Sequence, residues 1–259
     1  MSERRPKVVA VIQARMSSAR LPGKVLQPLA GEPMLHRVVE RVRAAHHVDR
    51  PIIDETIVAT SNDASDDPLQ AWCEERGVRC VRGSLHDVLA RYQTAAVVAE
   101  ADVIVRITSD CPLIDPSVTG RVIAAYLAAD PPVAYASNTD PTRTYPRGLD
   151  VEVFSAEALG IAHREDDNPA WREHVTQFLC RQPERFPRTC VTADEDASAH
   201  RWTVDTPEDL ELVRRIYDHF AADGGVGPTA FDWRDVLALL AECPDWAELN
   251  RHVEQKKVA

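Results

Sequence analysis

Residues 9–26 read VAVIQARMSSARLPGKVL, an apolar run that passes directly into a loop carrying Arg15, Arg20 and Lys24. The apolar half predicts a buried strand. The loop half is rich in small residues, Ala14, Ser17, Ser18, Ala19 and Gly23, so backbone N–H groups and three long cationic side chains can converge on one polyanion. A triphosphate suits that arrangement. Pro22 stiffens the approach and Gly23 frees the backbone just before the lysine. The G-x-x-x-x-G-K-[ST] pattern is absent, which excludes a P-loop ATPase. A solvated basic turn is the plainer alternative; the spacing of the three cations directly behind a strand speaks against it.

Working outward, short apolar runs alternate with helical patterns: strands at 7–12, 55–60, 78–82 and 102–107, helices at 33–44, 66–76 and 86–100. That alternation predicts an α/β fold, a mostly parallel sheet with helices on both faces. Leu35, Val38, Val39 and Val42 repeat on one face of the first helix, behind Pro33. The middle of the chain is less regular. It holds a predicted strand at 133–137, the polar loop NTDPTRTYPRGLD, an alternating strand DVEVFS, a helix at 171–180 and a strand at 188–192. Thr206, Pro207 and Asp209 then supply an N-cap, a first-turn proline and an N3 acid for a helix striped by Leu210, Val213, Ile216, Tyr217 and Phe220. We expect one domain over 1–221, with an irregular excursion at 138–175 to which the family resemblance given below assigns acceptor binding and dimerisation. A Gly-rich linker and a helical extension with a charged tail follow over 222–259.

Two aspartates stand where chemistry is expected. The strand at 103–107 delivers Asp110 to the rim of the sheet, where ligands bind in open α/β folds and where a carboxylate can hold Mg²⁺ against phosphate oxygens. Asp115 reads instead as the cap of the helix after Pro116. Asp205, in RWTVDTPEDL, lies between a strand and the capped helix, where an acid also suits the helix dipole without any ligand. Together, two rim aspartates and one basic loop describe a nucleotidyl-transfer site.

Composition narrows the alternatives. A net charge of −11 argues against a nucleic-acid or anionic-membrane surface, both of which draw affinity from clustered Lys and Arg. The six cysteines form no C-x-x-C pair and no zinc spacing, and read as cytosolic thiols. The apolar run behind MSERRPK is too short for a signal peptide or membrane span, so a cytoplasmic protein is expected.

The segments IQARMSSARLPGK, RGSLHDVLARY, RITSDCPLID, RGLDVEVFS, REHVTQF and RWTVDTPEDLELVRRIY resemble the cytidylyltransferases that activate acidic sugars, over about residues 7–220. Within them the chain is most similar to the spore-coat polysaccharide biosynthesis type. The resemblance implies a Rossmann-like nucleotidyltransferase fold, CTP, Mg²⁺, a sugar acceptor, pyrophosphate release and a homodimer. It places Arg15, Arg20 and Lys24 in the triphosphate loop, with Ala14 and Arg15 also near the base, and Asp110 and Asp205 on the metal. Arg82, Gly83 and Asp87 would close over base and ribose, although Asp87 equally suits the first turn of a helix. Thr108 stands where some relatives read the base with Gln, and Gln13 where sialate and octulosonate synthetases usually have Pro. Glu152, Arg172 and His174 are candidates for the acceptor pocket, though a lone histidine is more often structural.

The alternatives are transfer from another nucleotide or to a non-sugar alcohol, and a nucleotide-binding regulatory protein without turnover. A glycosyltransferase would be expected to show a D-x-D element at the end of the fourth strand, which is not evident there. We further expect the strand within 138–154 to pair across a two-fold axis.

Overall fold

Val8 to Ile12 are all fully buried, with alternate side chains entering two separate apolar cores. This is the signature of a central strand covered on both faces. In the computed structural model, which describes residues 4–222, 224–225 and 227–255, that strand is β1 (Val8–Gln13). The others of its sheet are β2 (Glu55–Ser61), β3 (Arg79–Gly83), β4 (Val103–Thr108), β5 (Tyr135–Ser137), β6 (Glu152–Ser155) and β7 (Arg188–Cys190). The sheet runs in the order β7-β5-β6-β4-β1-β2-β3. β1 pairs in parallel with both β2 and β4, while β6 is antiparallel to both its neighbours.

The chain therefore builds outward from β1 to β2 and β3, then crosses back to place β4 on the other side of β1. The C-terminal ends of β1 and β4 form the switch point, where an open α/β sheet leaves a crevice. One face of the sheet carries α1 (Met34–Arg43), α2 (Asp67–Glu75), α4 (Pro116–Leu127), α8 (Pro207–Ala222) and α9 (Trp233–Glu242); the other carries α3 (Val88–Val98), α5 (Ala156–Glu165), α6 (Pro169–His174) and α7 (Gln177–Cys180). The stripe read in α1 is buried at Leu35, Val38, Val39 and Val42. Asp115 does cap α4, its Oδ1 accepting from the backbone N–H of Ser117 and Val118.

Three differences from the sequence reading have physical causes. The helix expected at 171–180 breaks into Pro169–His174 and Gln177–Cys180, because Val175 adopts a φ of 63° that no helix continues through. The strand expected to pair across a dimer axis is β6, hydrogen-bonded on both sides within its own sheet; it has no free edge to offer a second chain. The C-terminal extension packs into the same core as the strands, through Phe231, Trp233, Val236, Leu239 and Leu240. Residues 1–3, two positions of the linker (223 and 226) and the charged end 256–259 lie outside the described residues. No helix among the described residues is long and apolar enough to cross a membrane.

Candidate active site

The loop after β1 is shaped by its own backbone and by one buried acid. Gly23, at φ 70°, takes the left-handed conformation that L side chains rarely adopt, and its N–H donates to Met16 O at 2.9 Å, folding the loop back on itself. Asp66, fully buried, accepts from Met16 N at 2.7 Å and from Ser61 N at 3.1 Å. The loop is thereby pinned to the end of β2.

Lys24 leaves this loop and reaches the far side of the crevice. Its Nζ donates to Asp110 Oδ2 at 3.0 Å, Asp205 Oδ1 at 2.9 Å and Val204 O at 2.6 Å. All three protons of the ammonium are committed, and the residue is only 7% exposed. Burial alone would lower its pKa; the two carboxylates outweigh that and raise it. Asp205 mirrors this: burial pushes its carboxyl up, and Lys24, Arg201 and Arg20 together bring it below the ordinary value. Arg20 Nη2 lies 2.8 Å and Arg201 Nη2 2.9 Å from Asp205 Oδ2. The ammonium was expected to point toward phosphate; here it holds the two rim carboxylates together.

A further layer fixes Asp205. Asp209, fully buried, accepts from the backbone N–H of Asp205 and Thr206 and from Arg201 Nε, all within 3.0 Å. Asn250, from beyond α9, donates to Asp209 Oδ1 and Arg201 O at 2.8 Å. In the sequence Asp209 reads only as an N3 cap, and Arg201 and Asn250 carry no motif, because their partners come together only in the folded chain.

Two adjoining clefts open at the switch point. The first, about 400 Å³, is lined by the loop residues Ala14, Arg15, Arg20 and Lys24 together with Arg91, Thr108 and Asp110. The second, about 440 Å³, reaches under β4 and β6 to Arg106, Arg147, Asp150 and Glu152. Arg15, Arg20, Asp110, Asp205, Thr108 and His174 line both. Arg15 stands at the mouth, 3.8 Å from Glu173, with 44% of its side chain exposed.

Three sequence candidates are engaged elsewhere. Arg82 donates to Ser61 O, Asp63 O, Asp67 and Gln70, tying the end of β2 to the start of the next helix, and lines neither cleft. Asp87 caps α3 through Ala90 N and forms an ion pair with Arg172 at 2.8 Å. Arg172 also donates to His163 O and Asp166 O. These two charges meet each other rather than a ligand. Glu152 does line the second cleft, but its oxygens accept from Arg106, Tyr135 and Thr176. Burial would raise its pKa, and those partners, Arg106 foremost, lower it.

A doubly covered sheet with a basic loop and two carboxylates at its switch point defines a nucleotidyltransferase. The family profile described as Cytidylyltransferase matches residues 9–229, and the chain belongs to that family. It is 33% identical over 245 residues to the spore coat polysaccharide biosynthesis protein SpsF of Bacillus subtilis (strain 168), covering 93% of this chain and 96% of that one. Among solved structures it resembles a cytidylyltransferase from Leptospira borgpetersenii, with TM-score 0.84, 28% identity, and 98% and 100% of the two chains covered. It shares the fold of a CMP:2-keto-3-deoxy-manno-octonic acid synthetase complexed with CTP, with TM-score 0.61, 22% identity, and 82% and 99% covered.

Proposed function

We propose that the protein transfers CMP from CTP to a hydroxyl of an acidic sugar and releases pyrophosphate, as a step in making a cell-surface polysaccharide or glycoconjugate. The observation that carries this reading is the convergence of Asp110 and Asp205 on one cation between the two clefts. The ammonium there stands where a metal ion would. Two hard carboxylate oxygens suit Mg²⁺, which completes its shell with phosphate oxygens and water; among the described residues there is no cluster of three or more ligating side chains. When bound by Asp110 and Asp205, Mg²⁺ would acidify the acceptor hydroxyl and offset charge on the α-phosphate.

The chain's own residues supply position and charge. Arg20 and Arg15, partly exposed at the mouth of both clefts, bind the β and γ phosphates together with the loop N–H groups. The hydroxyl attacks the α-phosphorus in line, the bond to pyrophosphate breaks, and the hydroxyl proton passes to solvent. The cations at the loop stabilise the departing charge. Arg147, in the second cleft, supports an acidic acceptor. It has no ion-pair partner among the described residues, and burial together with Arg143 and Arg201 lowers its pKa. A sugar carboxylate would supply the missing counter-charge, bidentate in the manner of guanidinium–carboxylate pairs.

Pyrophosphate release measured with each of four nucleoside triphosphates, across acidic and neutral sugars, tests the reading. CTP with an acidic sugar should be the productive combination. Equal turnover with ATP, GTP or UTP, or with neutral sugars alone, overturns it.

A further inference from the structure

Among the described residues Arg91 is a buried cation without a counter-ion. It lies on α3, is 2% exposed, and its Nε and Nη1 have no hydrogen-bond partner among the described residues. The nearest carboxylates are committed elsewhere, Asp66 to Met16 and Ser61, Asp87 to Ala90 and Arg172. Arg15, also close, repels it. An uncompensated buried charge is costly unless a ligand completes it. Room has been made for it nonetheless, because a Cβ at Gly83 would fall 2.8 Å from Arg91 Cγ.

Arg91 and Val88 line the first cleft, entering from α3, on the face of the sheet opposite the core that takes Val25 and Val204. Lys24 and Asp205 lie next to those two residues on the other face. Within that one cleft Arg91 thus stands across the sheet's rim from Arg20 and Asp205, the residues the proposed function turns toward the phosphates and metal.

We infer that Arg91 reads the base, its two-donor edge taking the adjacent acceptors O2 and N3 of cytosine. Uracil carries N3–H at that place and would set a donor against a donor. This rests on the reading of the site as CTP-dependent and adds to it the residue that selects the pyrimidine.

Calorimetry with CTP, UTP and inorganic tripolyphosphate, in Mg²⁺, tests it on wild-type protein, Arg91→Met and Arg91→Lys. Wild type should prefer CTP over UTP by roughly 10- to 100-fold, the discrimination expected of a bidentate contact. Both variants should fall toward parity, with tripolyphosphate affinity unchanged and, for Arg91→Met, a melting temperature no lower than wild type. Arg91→Lys keeps the charge but not the fork, and it carries the test if Arg91→Met does not fold. An unchanged CTP-to-UTP ratio in the variants overturns this inference alone, as does an equal loss of tripolyphosphate binding. Failure of the wild type to bind CTP overturns the proposed function with it.

Discussion

The ammonium of Lys24 lies 2.9 Å from Asp205 Oδ1, and this contact, shared with Asp110, sets the spacing of the two carboxylates before any nucleotide arrives. A lysine so placed does two things. It keeps two acids together that would otherwise repel, and it fills the space between them that the proposed function assigns to a divalent cation. On the function proposed above, metal binding at this site would be an exchange of cations around a fixed pair of acids.

Lys24→Met should remove that internal cation. Leaving two largely buried carboxylates facing each other is expected to destabilise the fold by on the order of 2–3 kcal/mol, short of a sealed pair because Asp110 retains 26% side-chain exposure. Turnover should fall about 10²- to 10³-fold. Mg²⁺ alone should raise the variant's melting temperature more than it raises that of wild type, since metal and ammonium compete for the same oxygens. An equal response of the two proteins to Mg²⁺ in thermal melts would remove Lys24 from the metal site.

Asp205→Asn and Asp110→Asn should both lose at least about 10²-fold in rate, because an amide supplies neither the charge a hard cation requires nor the electrostatic complement of the site. Their stabilities should differ. Asp205 meets three cations, Lys24, Arg20 and Arg201, whereas among the described residues Asp110 meets one, Lys24. The Asp205 variant should therefore melt lower than the Asp110 variant, and equal melting temperatures would show that the additional arginine contacts contribute nothing.

The loop cations and Asp110 stand out in the sequence because each comes after an apolar strand, and strand ends are where a chain of this kind meets a ligand; Asp205 follows an apolar run that folds not as a strand but as a loop with one isolated bridge at Arg201, and stands out through the helix start behind it. Sequence does not say which charges meet each other instead. Asp87 and Arg172, 85 positions apart, carry the look of site residues and neutralise one another. Asp209, Arg201 and Asn250 carry no motif, since their work is to satisfy groups that only the fold brings close. Arg91 was hidden for the opposite reason: its helix reads as an ordinary apolar stripe, and an arginine buried on that face has no signature until its missing partner is noticed. The middle of the chain was blurred by short strands and by Val175, whose backbone cuts one helical pattern in two.

Acid should unfold the protein through Asp205 and Glu152. Both have pKa values held below the ordinary carboxylate range, by Lys24 for Asp205 and by Arg106 for Glu152, against the upward push of burial. A depressed folded-state pKa gives stability that is present above the unfolded value, near 3.8 for Asp and 4.5 for Glu, and is lost as pH falls through the folded value. Melting temperatures from pH 7 to pH 3 should decline most steeply below about pH 5, the upper edge of that window. Glu152→Gln should start lower and decline less. A parallel pH curve for the variant would show that Glu152 does not contribute to the acid transition.

Asp66 offers a test of whether the loop must be held in place. Its carboxylate touches no part of either cleft, yet it accepts from Met16 N at 2.7 Å and so sets the path of the chain between Arg15 and Lys24. Asp66→Ala leaves Met16 N and Ser61 N without their acceptor, and the loop then samples conformations in which Arg15 and Arg20 do not face one polyanion. Small misplacements of binding groups are costly in rate, so KM for CTP should rise on the order of ten-fold while kcat changes less. Asp66→Asn retains an oxygen able to accept from Met16 N and should recover part of the loss. Steady-state kinetics on the two variants decide it: an unchanged KM in Asp66→Ala, or equal losses in KM and kcat without recovery by Asn, would show that the loop keeps its shape without this contact.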